Sequence, residues 1–407
     1  MLFKTKYITL NCLIKGLYLS LLFSAFIYLE YFNISNTFFN SILALMAIYT
    51  FLTLDRISLF WGGFFTGILW FWWVSISFVY YDLSYLMPLG VIGFGLIYAI
   101  LFVTTTIYSK LYIRASLLFL LSFISPFSFN WFKPELLFIN SYFSSSKISF
   151  LIIILSISLF IYFKNKTYKI LSLCLLLIAI NYNYTPPKLP NIKIAMPQFN
   201  IDQKYKWNKK YTKNIIDINF IKIKDAINNN YDVVILPETA FPILLNKSIN
   251  LMQRLKQLSK DITIITGAMH KENGQYHNSS YMFEDGIVTI AHKVVLVPFG
   301  EAVPFPKFLT DIINDIFFNG AQDYTTAKKP TDFEIKGVKF RNAICYETTT
   351  DKIYENSPKY VISISNNAWF TPSIEPTLQK LLMKYYARKY NLIIFSVANK
   401  SDNIITY

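Results

Sequence analysis

Seven long apolar stretches fill the first 184 residues, at about 16–33, 37–54, 57–79, 85–108, 111–128, 148–163 and 168–183. A bilayer core of ~30 Å takes about 20 such residues in a helix. In lipid every backbone N–H and C=O needs an internal partner, so only helices or a closed barrel can cross. These runs do not alternate, which excludes the barrel. Few of them carry the polar face that a helix in a soluble core needs. The pattern predicts a polytopic α-helical membrane domain over residues 1–184, with about seven transmembrane helices.

Charge follows the same division. Of 39 Lys+Arg only 11 precede residue 184, and of 24 Asp+Glu only 4, whereas the remainder is as charged as a water-soluble domain. With the N-terminus cytoplasmic, the inside segments hold Lys4, Lys6, Lys15, Arg56, Lys110, Arg114, Lys164, Lys166 and Lys169, and the outside loops hold only Lys133 and Lys147. That asymmetry fixes the expected orientation. An odd number of spans then carries residues 185–407 across the membrane, to the periplasmic face of a bacterial inner membrane. The first span lacks a small-residue cleavage site and reads as a retained anchor. Three prolines in 185–190 give a stiff extended linker. Trp70, Trp72, Trp73 and Tyr80 at the end of the third stretch read as an interfacial belt, or as the lining of a lipid-facing cavity. With 3 Cys and 3 His in 407 residues, neither a disulfide scaffold nor a multi-histidine metal site is expected. Nothing implies a nucleic-acid partner.

The second half alternates. Short β-branched runs at 192–199, 232–238, 262–268, 338–345, 360–365 and 392–397 read as strands. Residues 279–283 and 287–294 read as a hairpin around Glu284-Asp285-Gly286, and 209–230 and 375–390 as helices. This predicts one layered α/β domain with a mixed sheet.

Three polar residues end apolar strands. Glu238 closes 232–238, Lys293 lies at the end of the second hairpin strand 287–294, and Cys345 closes 338–345. Singly, each has a plain reading: a helix N-terminal charge, a solvated loop charge, a core thiol. A thiol nucleophile needs activation, and His270, His277 and His292 sit in turn or hairpin contexts that offer no clear partner. Carboxylate and lysine remain.

Taken together, Glu238, Lys293 and Cys345 resemble the triad of the nitrilase superfamily. The longer segments are similar to the signatures of the apolipoprotein N-acyltransferase family. They are Gln198-x-Asn200-Ile201-x-Gln203-x-x-Lys206-Trp207, Val297-Pro298-Phe299-Gly300-Glu301-x-Val303-Pro304, Ala343-Ile344-Cys345-Tyr346-Glu347 and Ile364-Ser365-Asn366-Asn367-Ala368-Trp369-Phe370. The resemblance spans about 190–399 and implies an αββα nitrilase-like catalytic domain over 191–407. The chain ends short of the further strand pair and the final membrane helix that the family implies.

By this resemblance Cys345 is the nucleophile, Glu238 its general base and Lys293 the oxyanion partner. Glu301 holds Lys293, Tyr346 supplies a backbone N–H, Glu347 orients Lys293 or the attacking amine, and Trp207 and Trp369 shape a substrate pocket. The implied reaction moves an acyl chain from a phospholipid, phosphatidylethanolamine being the expected donor, through a cysteine thioester. The acceptor is the N-terminal α-amine of the diacylglyceryl-cysteine of apolipoproteins. No metal or cofactor is needed, and a monomer is expected. The aromatic stretch 305–318 is read as a lid or as a core helix. Two other functions fit part of the pattern. A membrane-anchored nitrilase-type amidohydrolase would use the same side chains with water, although a soluble substrate needs no membrane domain. A transport or scaffold protein calls for paired charges at mid-membrane, and only Arg114 approaches that.

Overall fold

The computed structural model describes residues 2–182, 184–298, 300–302, 310 and 324–407, with side chains from residue 10 onward. The chain folds into two compact units. The first comprises 1–126, 130–185 and 372–385, and the second 127–129, 186–371 and 386–407. The stretch 305–318 lies outside the described residues apart from Thr310.

The first unit is helical. Its helices are Leu2–Tyr31, Thr37–Thr53, Arg56–Phe71, Met87–Thr104, Leu111–Leu121, Lys147–Tyr162 and Lys166–Cys174. Polar caps set where several begin. Asn36 accepts from the N–H groups of Phe38 and Phe39, and Asp55 from those of Ile57 and Ser58. Among the described residues four stretches are long and apolar enough to cross a membrane, namely Leu10–Tyr31, Arg56–Tyr81, Ser84–Thr104 and Leu111–Ser128. Thr37–Thr53 and Lys147–Tyr162 are apolar but shorter. At Gly63 a Cβ would meet the Tyr98 carbonyl oxygen at 2.3 Å, so a glycine there lets two helices touch backbone to backbone.

Trp70 and Trp73 depart from the belt reading, whereas Trp72 and Tyr80 are partly exposed. Trp70 and Trp73 are buried among Phe26, Phe71, Phe132 and Trp131. Packing inside the helical unit claims them, and a belt would leave them at the lipid boundary.

Among the described residues the second unit holds two sheets. One orders its strands β1 (Ile194–Ala195), β2 (Val233–Ile235), β4 (Thr263–Glu272), β5 (Gln275–Glu284), β6 (Ile287–His292), with β3 (Phe241–Leu244) also on β4. The other runs β11 (Ile404–Thr406), β10 (Ile393–Asn399), β9 (Tyr360–Asn366), β8 (Val338–Ile344), β7 (Asp332–Ile335). Both mix parallel and antiparallel pairs. Val233, Ile235 and Ile265 of the first sheet share a core with Phe340, Ile362 and Phe395 of the second. On its other face the first sheet buries Val234, Ile264, Tyr281 and Phe283 against Phe220 and Ile223 of helix Lys209–Asn228 and Leu255 of helix Ile249–Leu258. Each fully buried Val, Ile or Phe contributes about 1.5–3 kcal/mol.

Helices Lys209–Asn228 and Glu375–Tyr390 fall where the periodicity places them. The expected strand at 192–199 shrinks to β1, with Pro197 interrupting the run. Helix Ile249–Leu258, β3, β7 and β11 have no counterpart in the sequence reading. β11 pairs antiparallel with β10, so a strand follows the one read as last.

Candidate functional site

Three tight connections set the geometry. Beyond β2 the chain turns sharply, with Thr239 at φ 47°. There it crosses Gly267 of β4, where a Cβ would stand 2.5 Å from the Thr239 N and 2.7 Å from the Glu238 Cα. A side chain at 267 would push Glu238 off the sheet. Lys293 leaves the end of β6, its N–H donating to the Asn278 carbonyl at 2.9 Å. Cys345 leaves the end of β8 at φ 56°, a left-handed conformation unusual outside glycine, and opens the 3₁₀ turn Cys345–Thr349.

Asn278 joins the acidic groups. Its Nδ2 donates to Glu238 Oε1 at 2.7 Å and to Glu301 Oε1 at 3.1 Å. The other Glu301 oxygen stands 2.6 Å from Lys293 Nζ and accepts the Val297 N–H at 2.9 Å. Lys293 is 1% exposed. Burial alone would favour its neutral form, but the fields of Glu301, Glu238, Cys345 and Glu347 outweigh that and raise its pKa. The ammonium is locked on.

Glu347 fastens two strand ends together. One oxygen accepts the N–H groups of Val294 and Val295, the latter at 2.9 Å, and the other accepts the Ile344 N–H at 2.7 Å. One carboxylate thus fixes the backbone beside Lys293 and beside Cys345 at once. Burial pushes this carboxyl up to about 7, against Lys293 and those N–H donors, which favour the ionised form.

Tyr346 is buried. Its hydroxyl donates to the Ser128 carbonyl at 3.1 Å and its ring stacks on Phe129. Trp207 is half exposed and lines an open apolar groove of about 370 Å³ with Ile243, Leu244, Met269, Tyr276 and Tyr324. Trp369 is separate from that lining and closes the 3₁₀ turn after β9.

Two residues of this cluster received no role from the sequence. Lys206 is buried, donates to the Glu238 carbonyl at 2.9 Å, and is brought down to about 7 by burial, with Glu238 and Cys345 pulling the other way. Asn278 is the other. It lies in a mixed, largely polar strand that gives it no signal of its own, and only the fold shows that its amide meets Glu238 and Glu301. The histidines, read from the sequence as lying in turn or hairpin contexts, sit on hairpin strands and gather there. The His277 and His292 ring centroids are 4.3 Å apart, and those of His270 and His292 4.9 Å.

The arrangement combines a sulfur at a left-handed strand end with the Glu238 carboxylate, both in the field of the buried Lys293 ammonium.

Comparison with known proteins separates the same two halves. Residues 10–182 match the family described as apolipoprotein N-acyltransferase integral membrane domain, and residues 193–397 match carbon-nitrogen hydrolase. A Wolinella succinogenes protein named apolipoprotein N-acyltransferase is 45% identical, covering 95% of this chain and 94% of its own. Proteins of that name from Helicobacter hepaticus and Helicobacter pylori are 40% and 37% identical, covering 90% and 100% of this chain and 92% and 96% of their own. Among solved structures, a CN-hydrolase superfamily protein from Xanthomonas campestris is 14% identical at TM-score 0.39, over 53% of this chain and 83% of that one.

Proposed function

The chain belongs to the apolipoprotein N-acyltransferase family, and on that premise we propose that it N-acylates apolipoproteins through a thioester on Cys345. The observation that carries the reading is the buried Lys293 ammonium, paired with Glu301 and lying in the fields of Glu238 and Cys345.

Glu238 takes the proton from the Cys345 thiol, and the thiolate attacks an ester carbonyl of a phospholipid, phosphatidylethanolamine being the expected donor. The oxyanion that forms faces Lys293 and the Tyr346 N–H. Removal of one such donor typically costs roughly 10²–10³ in rate. The ester C–O bond breaks, the proton held by Glu238 passes to the leaving oxygen, and a lysophospholipid departs. The α-amine of the diacylglyceryl-cysteine of an apolipoprotein then attacks the thioester. Glu238 accepts a proton from the amine, the C–S bond breaks, and that proton passes to the leaving sulfur, restoring the thiol. Glu301 keeps Lys293 aimed, Glu347 ties the Lys293 and Cys345 backbones together, and Trp207 and Trp369 border acyl or peptide.

An acyl donor in the bilayer explains the multi-pass membrane domain. About seven spans, a cytoplasmic N-terminus and a catalytic domain on the periplasmic face of the inner membrane complete the topology, with the enzyme acting as a monomer. The test supplies a phospholipid and a diacylglyceryl lipopeptide to purified protein. N-acylated peptide and lysophospholipid in equal amounts are expected. Free fatty acid at the same rate with and without the peptide would instead mark an amidohydrolase-like use of water.

A further inference from the structure

All 3 histidines of the chain lie on one end of one sheet face. Two turns put them there. Asn273-Gly274, both at positive φ, close the β4–β5 hairpin as a two-residue loop and set His270 opposite His277. Asp285-Gly286 do the same for β5–β6 and set His292 opposite Ser279. Ser279 is small, so the His292 ring can lean across the middle strand towards His270. Glu272, the last residue of β4, shares the face of His270.

We propose that His270, His292 and Glu272 form a binding site for a divalent d-block metal ion, with zinc as the best match to the ligands. One donor atom from each of the three lies within 4.8 Å of the others. A tetrahedral zinc with bonds of about 2.0–2.2 Å holds its ligand atoms about 3.4 Å apart. His270 Nε2 and Glu272 Oε2 are already at 3.9 Å. The Glu272 side chain is 60% exposed and can rotate inward towards the rings.

The rings are prepared for ligation. His270 Nδ1 is 2.8 Å from the Tyr281 hydroxyl and His292 Nδ1 is 2.7 Å from Ser279 Oγ. With Nδ1 engaged, Nε2 is left to meet a cation. Such outer partners orient metal-bound imidazoles generally. His277 donates from Nδ1 to the Thr325 carbonyl at 2.9 Å and stacks on His292, bracing that ring. An imidazole and a carboxylate suit zinc better than magnesium or calcium. The ion would clasp β4 to β6 across β5, one residue before Lys293, and so brace the strand end that presents it.

The test uses full-length protein in detergent, stripped with a chelator and titrated with zinc chloride by calorimetry, then with cobalt chloride by absorption. One zinc per chain, a higher melting temperature when loaded, and the intense visible bands of tetrahedral cobalt are expected. Glu272→Gln, at the exposed edge, should weaken zinc at least tenfold while the stripped protein melts as before. His292→Gln should abolish saturable binding. Absence of saturable binding to folded protein overturns the proposal. So does zinc affinity unchanged in both variants, which would place the ion elsewhere.

Discussion

Glu347→Gln isolates the role of one oxygen. The glutamine carbonyl can still accept the N–H groups of Val294 and Val295, but its amide nitrogen then faces the Ile344 N–H, donor against donor. The site is buried, so water cannot repair the contact. A hydrogen bond to a charged group is worth about 1.5–3 kcal/mol, and a buried unpaired N–H costs about 1–3 kcal/mol. A loss of about 3 kcal/mol follows. For a domain of this size each kcal/mol lowers Tm by about 2–4 °C, so a fall of roughly 6–12 °C is expected. The backbones presenting Lys293 and Cys345 also lose their common tie. A misplacement of about 1 Å costs roughly 10²-fold in rate, so acyl-enzyme formation slows by that order. The measurement is a thermal melt of detergent-solubilised protein with rapid-quench acylation, at pH 8, above the value of about 7 for this carboxyl. A variant melting within about 2 °C of the parent and acylating within about twofold refutes the reasoning.

Lys206 gives a pH signature. Its folded pKa of about 7 lies below the ordinary 10.5, so the unfolded chain holds the extra proton between those values and stability from this group rises with pH across that window, by about 1.4 kcal/mol per unit. Lys206→Met should flatten the rise in denaturation midpoint between pH 7.5 and 9.5; parallel profiles would count against it. Gly267→Ala forces a Cβ onto the Thr239 and Glu238 backbone, so acylation should fall at least tenfold while the sheet signal in circular dichroism is kept; parent activity would contradict the tight crossing. Trp207→Ala removes the ring bordering the apolar groove and should raise KM for phospholipid several-fold with little change in kcat, whereas an unchanged KM would remove Trp207 from lipid recognition.

The membrane half is legible in the sequence because lipid leaves the backbone few options, and long apolar runs record that directly. The burial of Trp70 and Trp73 is not, because composition cannot say whether an aromatic faces lipid or Phe26 and Phe132. In the α/β half, Glu238, Lys293 and Cys345 stand out as polar ends of apolar strands. Their partners do not. Asn278 acts through contacts with Glu238 and Glu301, 40 and 23 residues away, and Lys206 through a contact with a carbonyl 32 residues away. The Asn273-Gly274 turn does carry information about the histidines, because extending both strands to it pairs His270 with His277. Helix Ile249–Leu258 is short and mostly polar outside its packed face, so tertiary burial of Leu255 decides it more than local pattern does.

The most direct test of the central claim is the mass of the peptide containing Cys345 after the protein meets a phospholipid with one defined acyl chain and no acceptor. The account predicts a gain of that single chain on Cys345, removed when a diacylglyceryl lipopeptide is added. An unmodified Cys345 in protein that still N-acylates the peptide, or an acyl group on another residue, would contradict it.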